Sequence, residues 1–314
     1  MPRKIIIDCD PGIDDAVALT MALFDPRLEV VAVTAVAGKV SAELTTCNVQ
    51  ALIERLDPPR YPRIGAATPP DTGPGVDSRH IHGDDGLGNV GYACSRLARQ
   101  HAAEKIIVDE IRAAPEQVTI LCLGPLTNIA RVFQRDPGIM EQIDRLVIAG
   151  GAVNCVGNVT PTAEFNIYCD PESARSVFRA PLTKTLVPLD VSERVTFDFG
   201  LVNELPPETT RAGKVLRASL PHLYRVYRQQ LGLEMVHLPD VVALVALTNP
   251  ELFEMVELCG DVEISGELTT GTTVFDRRMT FRGPKNMEVA KEIEVSAVTD
   301  CILRALTDAG RLSG

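Results

Sequence analysis

The stretch Ile5-Ile6-Ile7-Asp8-Cys9-Asp10-Pro11-Gly12-Ile13-Asp14-Asp15 decides how the chain is read. Three isoleucines after a basic start read as a buried parallel strand. Ala16 to Phe24 (AVALTMALF) reads as the helix that follows. Pro11-Gly12 supplies the turn, and Asp14 or Asp15 can cap the helix. Four carboxylates therefore crowd one strand–helix junction, at the carboxyl end of the strand, where open α/β sheets place ligands. Like charges packed this closely repel unless a cation joins them. Oxygen-only donors point to a hard divalent ion, calcium or magnesium, rather than zinc. The alternative is a solvated acidic turn, in which capping explains one Asp and exposure another.

Outward from this junction the pattern alternates. Leu28 to Val36 reads as a second buried strand, and Ser41 caps a helix to about Leu56. Arg63-Ile64-Gly65 suggests a short strand. A Gly- and Pro-rich segment from Ala66 to about Gly91 carries His80-Ile81-His82-Gly83-Asp84-Asp85-Gly86, and loops of such length are commonly functional. A helix is expected near Ser95 to Ala113. Strands follow at Val118 to Leu123, Leu146 to Ala149 and Leu182 to Leu189, with helices after Gly124-Pro125-Leu126-Thr127-Asn128 and over Pro171 to Phe178. This rhythm predicts an α/β fold: a mostly parallel, doubly wound sheet with helices on both faces. Beyond Phe199 the reading is a basic helical region over Pro207 to Leu231 and an apolar helix from Asp240. Strands over Val256 to Ile264 and Thr272 to Phe275 form a small antiparallel edge, and a closing helix runs from Asn286 to Leu306. With no repeat and no clear linker, residues 1–314 read as one domain.

The net charge of −11 argues against nucleic acid or an anionic membrane as partner. No run approaches the ~20 apolar residues of a membrane span. The N-terminus lacks a signal-peptide pattern, and the eight cysteines form no CxxC pair. Both features predict reduced thiols in a cytoplasmic protein.

Three further segments carry polar chemistry. Gly157 to Asn166 (GNVTPTAEFN) brings Asn158, Glu164 and Asn166 together, a set suited to sugar hydroxyls or to a capped surface loop. Leu123-Gly124-Pro125 leaves a strand-end carbonyl without a ladder partner, which a hard cation can use. Asp240, after His237-Leu238-Pro239, reads on its own as an N-cap.

Together, the DxDPGxDD start, GPLTN in mid-chain, the GNxTPxAEFN block and an Asp opening a late helix resemble the inosine-uridine-type, calcium-dependent nucleoside hydrolases over nearly the whole chain. The resemblance implies hydrolysis of the N-glycosidic bond of ribonucleosides to ribose and free base. It implies calcium held by Asp10, Asp15, the Leu123 carbonyl and Asp240. Asp14, Asn158, Glu164, Asn166 and Asp240 would bind the ribose hydroxyls, with Asp10 as the base that takes a proton from metal-bound water. Asp8 takes a supporting role. The resemblance also implies a homodimer or homotetramer and a place in purine and pyrimidine salvage.

Two positions depart from that pattern. The family commonly has Gly-Asn after the second strand, where this chain has Gly38-Lys39. Many members have His before the late Asp, where this chain has Pro239. His82 becomes the candidate leaving-group acid, with Asp84 or Asp85 nearby, while Tyr224 and Tyr227 read as packing. The departures also motivate an alternative, a non-catalytic member that binds ribosides or calcium. A DxD phosphohydrolase with Asp8 as nucleophile is disfavoured, because Pro11-Gly12-Ile13-Asp14 is the wrong follow-on.

Overall fold

A computed structural model describes residues 2–70, 73–93 and 100–314. β1 (Arg3–Cys9) leads into α1 (Ile13–Phe24), and β2 (Leu28–Ala35) into α2 (Ala42–Leu56). β3 (Arg63–Ala66) precedes a one-turn helix α3 (Arg79–His82), and β4 (His101–Ala102) runs directly into α4 (Ala103–Ala113). β5 (Val118–Cys122) is followed by α5 (Thr127–Arg135), and β6 (Arg145–Ala149) by α6 (Phe165–Cys169) and α7 (Pro171–Arg179). After β7 (Lys184–Val187) come α8 (Leu189–Ser192), β8 (Thr196–Phe197), α9 (Leu201–Glu204), α10 (Arg211–Val226), β9 (Val236–His237) and α11 (Pro239–Thr248). β10 (Phe253–Val262), β11 (Thr273–Asp276), β12 (Met287–Ile293) and α12 (Val295–Leu312) close the chain.

Among the described residues one ten-stranded sheet has the order β11-β10-β12-β7-β6-β5-β1-β2-β3-β4. The strands from β7 to β4 in that order are parallel, as is β12 to β7, while β10 runs antiparallel to both neighbours. β1 sits between β2 and β5, so successive strands are added first on one side and then on the other. That reversal opens a crevice beyond the carboxyl ends of the strands.

Strand periodicity builds the two apolar layers. Ile5 and Ile7 face one side with Val33, Leu121 and Val147, under α1, α10, α11 and α12. Ile6 faces the other with Ala32, Ile120 and Leu146, under α4, α5 and α7. Each such fully buried side chain contributes about 1.5–3 kcal/mol. Asp8 follows Ile7 into the interior, where its Oδ1 accepts hydrogen bonds from Thr34 Oγ1 (2.5 Å) and Asn128 Nδ2 (2.8 Å). Burial pushes its carboxyl up to about 7, against those two bonds. Asn128 belongs to the mid-chain GPLTN turn, which is thereby tied to β1.

The doubly wound sheet and the antiparallel C-terminal edge are as expected, and Ser41 caps α2. Three expectations are corrected. The helix expected from Ser95 begins at Ala103; His101–Ala102 pair with Gly65–Ala66 as an outer strand, and residues 94–99 lie outside those described. The closing helix begins at Val295, not Asn286, because Met287–Ile293 is a strand between β7 and β10. Its Glu, Ala and Lys favour helix locally, but buried Met287, Val289 and Ile293 and two hydrogen-bonding neighbours override that preference. Asp240 is not an N-cap: Leu238 takes that place, Pro239 holds the first helical position, and Asp240 falls in the first turn of α11.

Candidate active site

The strand ends around β1 converge on a cleft of about 450 Å³. Asp10 follows the end of β1, and Asp14 and Asp15 come from the first turn of α1; Asp14 lines the cleft, while Asp10 and Asp15 are fully buried and outside its lining. Asp240 arrives from α11, and Lys39 from the loop after β2. All five are buried. Close backbone approach makes this possible. A Cβ on Gly38 would collide with Asp10 Oδ2 and lie 2.9 Å from Pro125 Cδ, so only glycine lets the loop after β2 reach the carboxylate. The Lys39 backbone N–H then donates to Asp10 Oδ2 at 2.8 Å.

Asp15 does the capping at this junction: its Oδ2 accepts from the Gly12 N–H at 2.8 Å. Its other neighbour is the Lys39 ammonium. Lys39 Nζ stands 2.5 Å from Asp15 Oδ2, 3.0 Å from Asp240 Oδ2, 3.2 Å from Asp14 Oδ1 and 3.4 Å from Asp10 Oδ1. Burial works against that charge, but the four carboxylates outweigh it and hold Lys39 protonated well above the ordinary lysine value.

One ammonium does not neutralise four acids. Desolvation raises Asp10, Asp15 and Asp240 above the usual carboxylate range, with only partial relief from Lys39. Asp14 goes the other way: despite its burial, Lys39 and His82 hold its carboxyl below that range. The contact between their side chains lowers Asp14 further and raises Asp240.

The acidic cluster has the composition of a metal site. Asp14, Asp15 and Asp240 each offer an oxygen within 4.8 Å of the others. Yet the point they surround holds Lys39 Nζ, at contacts as short as a metal–oxygen bond. Calcium takes oxygens at roughly 2.3–2.6 Å and cannot share that point with an ammonium. With Lys39 placed this way, the residues do not fit calcium. The Leu123 carbonyl accepts from Asn166 Nδ2 at 2.8 Å.

The rest of the cleft follows the GNVTPTAEFN block. Glu164 caps α6, with Oε1 accepting from Asn166 N–H (2.9 Å) and Oε2 from Ile167 N–H (3.1 Å) and Gly151 N–H (3.0 Å). Asn166 Nδ2 bridges the Leu123 and Ala149 carbonyls, fixing the amide, while its buried Oδ1 has no partner within the protein. Asn158 is exposed at the rim, its Oδ1 accepting from Phe165 N–H at 2.8 Å. All three line the cleft with Asp14, Lys39, His82 and Asp240.

His82 is buried, with Nδ1 accepting from the Ile13 N–H at 3.1 Å and 3.9 Å from Asp14 Oδ1. Burial pulls its imidazole down to about 4, so it is neutral at physiological pH and carries its proton on Nε2. Asp85 spends its oxygens on the N–H groups of Leu87, Asn89 and Gly91, which shapes the loop rather than the site. Tyr224 packs edge-on against Phe199 and donates to the Asp198 carbonyl, in line with a packing role. Tyr227, which the sequence suggests as packing, and His237 both line the cleft, with Val159, Phe165, Leu231 and Leu233. Their 6.1 Å ring separation brings a π-type turn after α10 against β9, and no spacing within the sequence signals that pairing.

The family described as "Inosine-uridine preferring nucleoside hydrolase" matches residues 5–300. The non-specific ribonucleoside hydrolase RihC of Escherichia fergusonii is 38% identical, over 98% of this chain and 100% of that protein. The RihC of Escherichia coli O7:K1 is 39% identical, over 98% and 99%. Among solved structures, a purine-preferring ribonucleoside hydrolase from Gardnerella vaginalis superposes with a TM-score of 0.91 at 27% identity, covering 98% of this chain and 99% of that one. A plant nucleoside hydrolase, PpNRh1, gives 0.89 at 29%, with the same coverage. Fold, cleft and relatives define the class: an α/β N-ribohydrolase, an enzyme that cleaves the N-glycosidic bond of ribonucleosides. Within that class, the chain belongs to the inosine-uridine preferring nucleoside hydrolase family.

Proposed function

We propose that the chain hydrolyses ribonucleosides to ribose and free base in this cleft, with Asp10 as general base. The observation that carries the reading is the convergence of Asp10, Asp14, Asp15 and Asp240, from opposite ends of the chain, around one buried cation. Asp10 Oδ1 is buried and has no hydrogen-bond partner within the protein. Desolvation makes Asp10 a stronger base than an exposed carboxylate. It is suited to take the proton of a water attacking the anomeric carbon.

Bond cleavage builds positive charge on the ribose ring. Four acids against one ammonium leave the pocket net negative in part, which stabilises that charge where it forms. Asp14, Asn158, Glu164, Asn166 and Asp240 are the groups assigned to the ribose hydroxyls, and the unpartnered Asn166 Oδ1 supports this. Buried groups left unpaired by a missing hydroxyl penalise 2′-deoxyribose strongly. The nucleobase would lie toward Val159, Phe165, Tyr227, Leu231, Leu233 and His237, a lining that is apolar and aromatic with few fixed polar groups. That suits broad base acceptance. His82 is the assigned donor to the departing base, through Nε2, since Nδ1 is taken by the Ile13 N–H. Calcium held by Asp10, Asp15, the Leu123 carbonyl and Asp240, as the family resemblance implies, requires Lys39 to leave the centre.

Incubation with inosine, uridine, cytidine and adenosine should release ribose. The 2′-deoxy counterparts should react about 10³-fold more slowly or less. No ribose from any ribonucleoside would remove the catalytic reading. Lys39 in the centre favours one second reading, a riboside-binding member without turnover; calorimetric binding of uridine with no ribose formed would select it. Assembly as a homodimer or homotetramer, cytoplasmic placement and a salvage role belong to the same proposal. Light scattering on the purified protein tests the first of these. Among the described residues no helix is long and apolar enough to cross a membrane.

A further inference from the structure

We propose that the ammonium of Lys39, and not a divalent ion, is the resident cation of this active site, so that the enzyme works without calcium. The catalytic half of this inference rests on the function proposed above; the occupancy half does not. Lys39 Nζ lies within 3.4 Å of one oxygen from each of four buried carboxylates, the distribution expected of a central cation. Two of its three N–H groups are engaged, by Asp15 and Asp240. The third points toward Asp14 and Asp10, at 3.2 and 3.4 Å.

The side chain is also held along its length. Its backbone N–H is fixed to Asp10 Oδ2, and its carbonyl accepts from the Ser78 N–H at 3.1 Å. Its Cδ passes so close to Gly12 that a Cβ there would come within 2.5 Å of it. Glycine at position 12 is what leaves room for the stem beside the start of α1. Because this cation is covalently tethered, it needs no binding equilibrium and no chelator removes it. For calcium to enter, the ammonium must be drawn from a buried multi-carboxylate contact and the stem unseated from that groove. Removing one partner of such a buried ion cluster is strongly unfavourable.

The test compares the full-length protein with Lys39→Asn, which removes the charge and offers an amide oxygen, and with Lys39→Met, which removes the charge but keeps the stem volume. Each is stripped with EGTA. Calcium uptake is then read by calorimetry and by elemental analysis after desalting, and ribose release from uridine and inosine is read with and without calcium. The expected result is that the wild type retains no calcium and releases ribose equally in either condition. At least one variant should bind one equivalent about 100-fold more tightly or better than the wild type, and should need calcium for any turnover. Equally tight calcium uptake by wild type and variants, or wild-type activity abolished by EGTA and restored by calcium, would overturn the proposal. So would failure of both folded variants to bind calcium, since the acids would then not form a cation cradle at all. If the wild type releases no ribose in either condition, the functional reading fails, while the uptake comparison still decides what occupies the centre.

Discussion

At the scale of single residues, the burial of His82 ties stability to pH. Folded, its imidazole gives up its proton near pH 4, because burial, then Lys39, His222 and His80, oppose the charge, with Asp14 offsetting only in part. In the unfolded chain the same group titrates near 6.5. Between those values the unfolded state binds more protons, so the stability that neutral His82 contributes is complete above pH 6.5. It is lost as pH falls toward 4. The gap corresponds to about 3 kcal/mol. Urea denaturation of wild type and His82→Gln at pH 7 and pH 4 should show the stability difference between them shift by about that amount, against the wild type at the lower pH. A difference independent of pH would mean that the imidazole is not held neutral. The neighbouring carboxylates were legible as a group from their crowding alone. Their individual roles were not: that Asp15 bonds the Gly12 N–H, and that Asp8 turns away to Thr34 and Asn128, depends on partners 3 to 120 positions distant. Lys39 stood out in the sequence only as a departure. Its place at the centre follows from the loop after β2 folding over Asp10.

At the scale of elements, the approach of that loop is the feature most exposed to mutation. Gly38→Ala puts a methyl group against the Asp10 carboxylate and Pro125, so either Asp10 or the loop must move. Overpacking of this kind costs about 1–3 kcal/mol of stability, and misplacement of a catalytic group by about 1 Å costs about 10²-fold in rate. Steady-state kinetics with uridine and a urea midpoint should record both losses; unchanged kcat/KM would show that Asp10 is not placed by this contact. The strands that read clearly in the sequence, β1, β2 and β5, carry apolar runs that are buried throughout β5, from Ile5 onward in β1 and over the last four residues of β2. β12 reads as helix in sequence because its seven residues carry three charges, and only its position between β7 and β10 makes it a strand. Asp240 reads as a cap because helix-start signals are local. Pro239 takes the first helical position instead and leaves the next carboxylate facing the cluster.

At the scale of the whole molecule, the order of strands does the assembling. β1 lies where the winding of the sheet reverses, so the loops after β1, β2, β5 and β6 open into one crevice. α11, which carries Asp240, is packed against α1 and completes it. Periodicity and motif order carry that plan in the sequence. The cleft rim was not readable, because Tyr227, Leu231, Leu233 and His237 meet only through tertiary packing. The most direct measurement is ribose release from inosine by the wild-type protein and by Asp10→Asn, an isosteric change that removes the base. The expected result is ribose and hypoxanthine in equal amounts from the wild type, and a rate about 10²–10⁴-fold lower from the variant with its melting transition retained. Equal rates from the two proteins would contradict the assignment of this carboxylate cluster as the catalytic centre.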